Sequence, residues 1–246
     1  MFSYLYHSFI FDPLYNGLIF LMDFLPWIDA GMAIVIFTII VRLILFPLSK
    51  KAIVTQIMMK KIEPEINKIK NSMVNDRQGQ ALKMMALYKE KGISPFSSFF
   101  FLLIQLPIIF ALYSIFINSG LPDINTSILY SFIKEPIVDM DFLGIVDIGM
   151  KNIPLAIIAA IAQFAQLHYS VGINKNKNDD KSISNPKKEM NQMDIAQNMT
   201  KNMKYVFPVI IFVISYQYAS VVALYFIVSS LFTLAQELYV KKKLSI

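Results

Sequence analysis

Long apolar runs separated by charged stretches organise this chain of 246 residues. Five runs rich in Ile, Leu, Phe and Val, at about 31–48, 96–118, 151–170, 204–218 and 220–239, read as membrane-spanning helices. About 18–20 residues at the helical rise cover the apolar thickness of a bilayer. The last two runs are divided only by an uncharged turn near Ala219-Ser220, so they form a helical hairpin. A shorter stripe, Leu14, Leu18, Leu21, Met22 and Leu25, has helical spacing but cannot span and stops at Pro26. An interfacial helix is expected there, within an extracytoplasmic segment 1–30. Residues 1–30 hold no Lys or Arg and no good cleavage site, which argues against a signal or transit peptide.

Segment 49–95 has a different rhythm. Ile53, Ile57, Ile62, Ile66, Ile69 and Met73 step by three to five residues. A polar break follows at 75–79, then a second stripe of Leu82, Met85 and Ala86 before Gly92 and Pro95. The pattern predicts a helical hairpin, with Pro64 kinking its first arm. Met58, Met59, Met73, Met84 and Met85 either give it a soft apolar surface for varied partners or simply pack its arms together. Segment 171–203 is rich in Asn and Lys and reads as a loop, with an amphipathic helix starting near Pro186 and running into the fourth span.

Composition confirms the class: 56% hydrophobic residues, 16% charged and a mean hydropathy of +0.53 lie outside soluble norms. The absence of cysteine excludes disulfides, thiol catalysis and thiolate metal sites. The distribution of charge sets orientation. Residues 1–30 carry three acids and no Lys or Arg; 49–95 carries ten basic and four acidic residues. Segment 119–150 has one basic residue, Lys134, and five acids, whereas 171–204 has seven basic and four acidic. The tail, 240–246, contributes Lys241, Lys242 and Lys243. By the positive-inside rule the N-terminus is outside, and 49–95, 171–203 and the C-terminus are cytoplasmic. The lysines of 49–95 form a solvated face, or meet anionic lipid or ribosomal RNA.

One residue breaks the first apolar run. Arg42 sits inside GMAIVIFTIIVRLILFPL, where a guanidinium costs about 3 kcal/mol on insertion scales and roughly 10–17 in simulations. It either faces water or a partner for a purpose, or snorkels towards the nearby membrane surface. Thr38, one turn earlier, shares its helix face. Gln105 lies at comparable depth in an antiparallel second span, so Thr38, Arg42 and Gln105 can share a polar surface. Gln163, Gln166 and Gln236 read as hydrogen-bonded glue between helices. The chain has no GxxxxGK[ST], HExxH or GxSxG, and no paired Asp, Ser/His or zinc ligands within spans. It is expected not to be an enzyme and to need no cofactor or metal.

These stretches resemble the YidC/Oxa/Alb family of membrane protein insertases. TIIVRLILFPLSKKA (38–52) is similar to the family's first core span, with its arginine and Pro-Leu-[ST] exit. MMALYKEKGISPFSSFFFLLIQLPIIFALYSIF (84–116) resembles its Tyr-Lys-x-x-x-[IV]-[NS]-P and Gln-x-Pro-[IV] stretch, and FPVI (207–210) with LYFIVSSLFTLAQ (224–236) resembles its final hairpin. The usual Pro-[SA]-Gly turn between the last two spans reads Ala219-Ser220-Val221 here.

The resemblance implies an all-α membrane protein: five spans around a hydrophilic groove, a cytoplasmic helical hairpin and an N-terminal interfacial helix. It implies that Arg42 is the groove cation, that Thr38 and Gln105 line the groove, that Pro107 shapes the second span, and that Tyr225 and Phe226 occupy its aromatic position. The hairpin, with Met58, Met59, Met84 and Met85, would recruit clients. Implied partners are newly made membrane proteins, the bilayer and, further afield, the ribosome and Sec translocon, with no specific nucleic acid sequence. A compact bacterial inner-membrane protein is expected. Two other readings stay open: a small anion channel or transporter using Arg42, and a non-catalytic assembly partner.

The charge asymmetry makes a direct prediction. Single cysteines replacing Ser72 and Ser184 should label with a membrane-impermeant maleimide only from the cytoplasm, and one replacing Ser127 only from outside. Labelling at 127 from the cytoplasm would overturn the layout.

Overall fold

The computed structural model describes residues 4, 6–74, 76–93, 108–111, 114–115, 121, 123–171 and 192–244, with side chains described except at 171 and 192–204. A π-helical turn, His7–Phe11, leads into α1 (Asp12–Phe24), with Pro13 in its first turn where a missing N–H costs nothing. Tyr15, Leu18, Ile19 and Met22 form the buried stripe of α1. Asn16, only 1% exposed, uses its amide as a linker. It donates to the Asp12 carbonyl (2.9 Å) and the Ile128 carbonyl (3.0 Å), and accepts from the Tyr130 amide at 2.7 Å. The Tyr15 hydroxyl accepts from the Asn125 amide at 2.8 Å. The loop of 123–150 is thereby stitched onto α1.

Asp29 caps α2 (Ala30–Ile44), one carboxylate oxygen accepting from the Met32 amide at 2.7 Å. The helix expected over 31–48 ends at Ile44. At Leu45 the chain bends by 67° into α3 (Phe46–Ser72), whose first turn holds Pro47. A proline there ends the preceding helix and suits the start of the next. α3 continues as one helix through Pro64. It packs against α4 (Arg77–Glu90), capped by Asp76, around Ile62, Ile66, Met84, Leu87 and Tyr88. The base of this hairpin is fixed separately, Ile53 and Ile57 burying against Val240.

Three further helices follow: α5 (Ile153–Val171), α6 (Gln192–Gln217) and α7 (Ser220–Lys243). The helix from Gln192 runs without interruption through the expected fourth span; the stretch about Pro186 lies outside the described residues. α5 and α7 are each long and apolar enough to cross a membrane, and α2 with α3 would count as a third if the bent pair is one span. Tyr205–Gln217 is a shorter apolar helix segment. Ile157, Ile158 and Ile161 of α5 and Val209 and Val213 of α6 point outward, as lipid-facing residues do. Most of the second span lies outside the described residues, although 108–111 and 114–115 are helical and put Ala111 and Ile115 in the main core.

A two-stranded hairpin, β1 (Asp141–Phe142) and β2 (Val146–Asp147), joins two helix starts. Leu143 and Gly144 turn it, both with positive φ. The Asp139 carbonyl accepts from the Ala30 amide at 2.7 Å, and Asp29 accepts from the Leu143 amide at 3.1 Å. The Met150 and Ile148 carbonyls accept from the Ser220 and Val221 amides at 2.8 and 3.0 Å. Free N–H groups at the starts of α2 and α7 are thus satisfied by one loop. This also explains how Ala219-Ser220-Val221 makes the turn: Ala219 is extended, and Met150 supplies the acceptor.

Phe142 lies directly on Gly31, where an added Cβ would come within 2.8 Å of the Phe142 Cβ and overlap its ring. Gly31→Ala should therefore unseat the hairpin and destabilise the protein by about 1–3 kcal/mol. Thermal unfolding in detergent, with faster amide exchange at Ser220 and Val221, would show it; unchanged exchange would refute it.

Candidate functional site

α2 and α7 together place the polar residues at the centre of the molecule. Arg42 is in the last turn of α2 and only 7% exposed. A cation there meets the negative end of the helix dipole. Its guanidinium Nη2 donates to the Ser229 hydroxyl of α7. Its backbone carbonyl, left over where α2 stops, accepts from Gln236 Nε2 at 3.4 Å. The Ser49 hydroxyl, just past the bend, donates to Gln236 Oε1 at 3.4 Å. Gln236 therefore spans the 67° bend, holding both sides of it to α7. One turn earlier on α7, Thr233 donates to the Ser229 carbonyl at 2.8 Å, orienting the same wall.

Beside Arg42 is a narrow recess lined by Leu14, Phe37, Thr38, Val41, Ile108 and Tyr225 as well as Arg42 itself. Three of the residues singled out from the sequence, Thr38, Arg42 and Tyr225, thus meet at one place. Phe226 packs edge-on to Tyr225, with ring centroids 5.4 Å apart, and points into the main apolar core. Gln105 and Pro107 lie outside the described residues. The four hairpin methionines divide: Met84 is buried and Met59 packs beside it, while Met58 and Met85 are exposed. Leu82 joins Met58 and Met85 as an exposed apolar side chain on the hairpin.

Two site residues, Ser229 and Gln236, had no role at this site in the sequence reading. Their signal was their position on the α7 face that carries Tyr225, since 225, 229, 233 and 236 recur at helical spacing. Charge gathers at the C-terminal end of the same helix. Glu237, 2% exposed, pairs with Lys241 at 2.9 Å. Lys60 of α3 faces this pair. Burial, and after it Lys241, pulls the Lys60 ammonium below the usual lysine range, while Glu237 and Glu63 pull the other way.

A family model described as 60Kd inner membrane protein matches residues 21–245. The chain is 32% identical over 238 residues to a membrane protein insertase YidC of Fusobacterium nucleatum, covering 96% of this chain and 98% of that relative. It is 31% identical over 217 residues to one from Clostridium tetani, covering 88% and 84%. A third, from Streptomyces avermitilis, is 28% identical over 225 residues, covering 85% and 50%.

Proposed function

Because this chain belongs to the 60Kd inner membrane protein family, the YidC/Oxa insertases, we propose that it inserts and helps fold membrane proteins through a recess centred on Arg42. The observation that carries the reading is the meeting of a buried guanidinium with Thr38, Ser229 and Tyr225 between α2 and the long apolar helix α7. The setting is the bacterial inner membrane, with five spans, the N-terminus outside and the hairpin and C-terminus in the cytoplasm. By the family resemblance Gln105 and Pro107 are assigned to the same groove, and Phe226 backs Tyr225 from the core side.

The energetics need no nucleotide. A client span of about 20 apolar residues gains roughly 6–12 kcal/mol on insertion, at about 0.3–0.6 per residue. One acidic residue carried across costs roughly 2.5–3.5 kcal/mol at mid-membrane. The client's own hydrophobicity therefore exceeds the cost, and the barrier is the problem to be solved. A cation held in this recess, whose walls are otherwise mainly apolar, lowers that barrier by attracting the acidic segment part of the way. The client binds first on the cytoplasmic hairpin, where Met58, Met85 and Leu82 form an exposed, adaptable apolar surface while Met59 and Met84 hold the arms together. The ribosome and the Sec translocon are candidate suppliers of clients at this surface.

The hairpin's own small core, separate from that of the membrane helices, implies independent mobility. Residues 53–91 should exchange amide hydrogens faster than α5 and α7. Deleting 75–79 should leave the membrane helices folded and reduce client capture. Unfolding of α5 and α7 on that deletion would mean that the hairpin is structural and has no recruiting role.

Arg42 is tested by charge. In proteoliposomes given paired clients with acidic or neutral outer segments, Arg42→Lys should keep most of the insertion activity. Arg42→Leu should lose roughly tenfold or more on the acidic client and less on the neutral one. Equal activity of all three proteins on both clients would remove Arg42 from the mechanism. Anion flux lost on Arg42→Leu, with no dependence on client charge, would favour a channel instead.

A further inference from the structure

The face of α7 turned away from Arg42 carries a second polar system. The Ser230 hydroxyl donates to Gln163 Oε1 at 3.0 Å, and Gln163 Nε2 donates to Gln166 Oε1 at 2.7 Å. Gln166 Nε2 donates to the Ser170 hydroxyl at 3.4 Å, and that hydroxyl donates to Glu237 Oε2. The other Glu237 oxygen lies 2.9 Å from Lys241 Nζ, which sits 3.9 Å from the centre of the Tyr169 ring. All five members from Ser230 to Glu237 are at most 7% exposed. The chain leaves α7, descends α5 and returns to α7. Every link donates in the same direction, and the last acceptor is a carboxylate. Such head-to-tail chains polarise one another, and an anion at the terminus selects that direction over its reverse.

The sequence of α7 gives this chain a purpose. Two consecutive polar pairs, Ser229-Ser230 and Gln236-Glu237, stand seven residues apart, close to two helical turns. In each pair the first member faces α2 and α3: Ser229 holds the Arg42 guanidinium and Gln236 the Arg42 carbonyl. The second member of each pair faces α5. Consecutive residues differ by about 100° around a helix, so a rotation of that size would present Ser230 and Phe226 to Arg42 in place of Ser229 and Tyr225. Apolar packing between lipid-embedded helices gives little rotational preference, whereas buried hydrogen bonds with fixed partners do.

We propose that Gln163 and Glu237 are positioning residues: the α5–α7 hydrogen-bond chain locks the rotation of α7 so that Ser229 and Tyr225 face Arg42. The importance for insertion rests on the Arg42 reading above; the lock itself does not. The test uses full-length protein in proteoliposomes, with a cysteine replacing Thr38 paired with one replacing either Tyr225 or Phe226, and a short bifunctional crosslinker. The 225:226 ratio of crosslinked product should favour 225. In Gln163→Leu, which removes a buried hydrogen bond, and in Glu237→Gln, which keeps the shape and turns a charge-assisted bond into a weaker neutral one, the ratio should fall by roughly fivefold. Insertion of the acidic client, in proteins without the added cysteines, should fall by a similar factor. Should Gln163→Leu not fold, Glu237→Gln decides alone. A ratio unchanged in a folded variant overturns the lock, whatever insertion does. A shifted ratio with undiminished insertion overturns the role in positioning the site. Arg42→Leu in the same assay separates the two ideas, because undiminished insertion there sinks the Arg42 reading and leaves the crosslink result standing.

Discussion

Everything central in this protein follows from keeping a guanidinium inside an apolar helix bundle. An arginine at that depth costs at least about 3 kcal/mol. The surrounding structure meets the cost in three ways. Arg42 occupies the last turn of α2, where the helix dipole favours a cation. Ser229 accepts from it, and Gln236 takes its carbonyl. The dipole and the Gln236 contact both depend on α2 ending at Ile44. Had the helix run on to Leu48, the Arg42 carbonyl would be satisfied internally and the helix terminus would lie elsewhere. The bend at Leu45 is therefore part of the site.

α7 is the element on which the other parts converge. Its start is held by the loop carbonyls of Met150 and Ile148, through the same hairpin that holds the start of α2. Its middle meets Arg42 on one face and Gln163 on the next. Its end packs Val240 against Ile53 and Ile57 of the hairpin base. An arm with its own core, joined to the bundle mainly at its base, can move at the tip without disturbing the α2–α7 contact. The hairpin tip and the Arg42 site are thereby mechanically separated, although both are anchored to one helix.

Much of this was readable from the sequence, and the failures share a cause. The stripe of α1, the apolar run of α5, the helical hairpin of α3 and α4, the break between α6 and α7, and the shared helix face of Thr38 and Arg42 followed from periodicity and run length. The 67° bend did not, because hydropathy counts apolar residues without recording direction, and GMAIVIFTIIVRLILFPL scores as one run on either side of Leu45. Pro47 was the signal, and it reads equally well as the exit from a longer span. The β1–β2 hairpin was hidden in a loop of mixed composition, since two-residue strands carry no pattern. Gln236 looked like generic glue because its partners, Arg42 and Ser49, are nearly two hundred residues away in sequence.

The methionines show the same limit from the other side. Periodicity placed Met58, Met59, Met84 and Met85 on one hairpin, and packing and client binding were rival readings for all of them. The structure buries Met84 with Met59 packed beside it and leaves Met58 and Met85 exposed. Adjacent positions on a helix differ by about 100°, so in each consecutive pair one side chain turns inward and the other outward. Ser229-Ser230 and Gln236-Glu237 divide between α2 and α5 by the same geometry. A doubled residue type on a helix serves two surfaces at once, and which surface each member serves is settled only by the neighbouring helices. In this protein a handful of polar contacts within an otherwise apolar bundle makes that assignment: Arg42 with Ser229, Ser230 with Gln163 and Ser170 with Glu237.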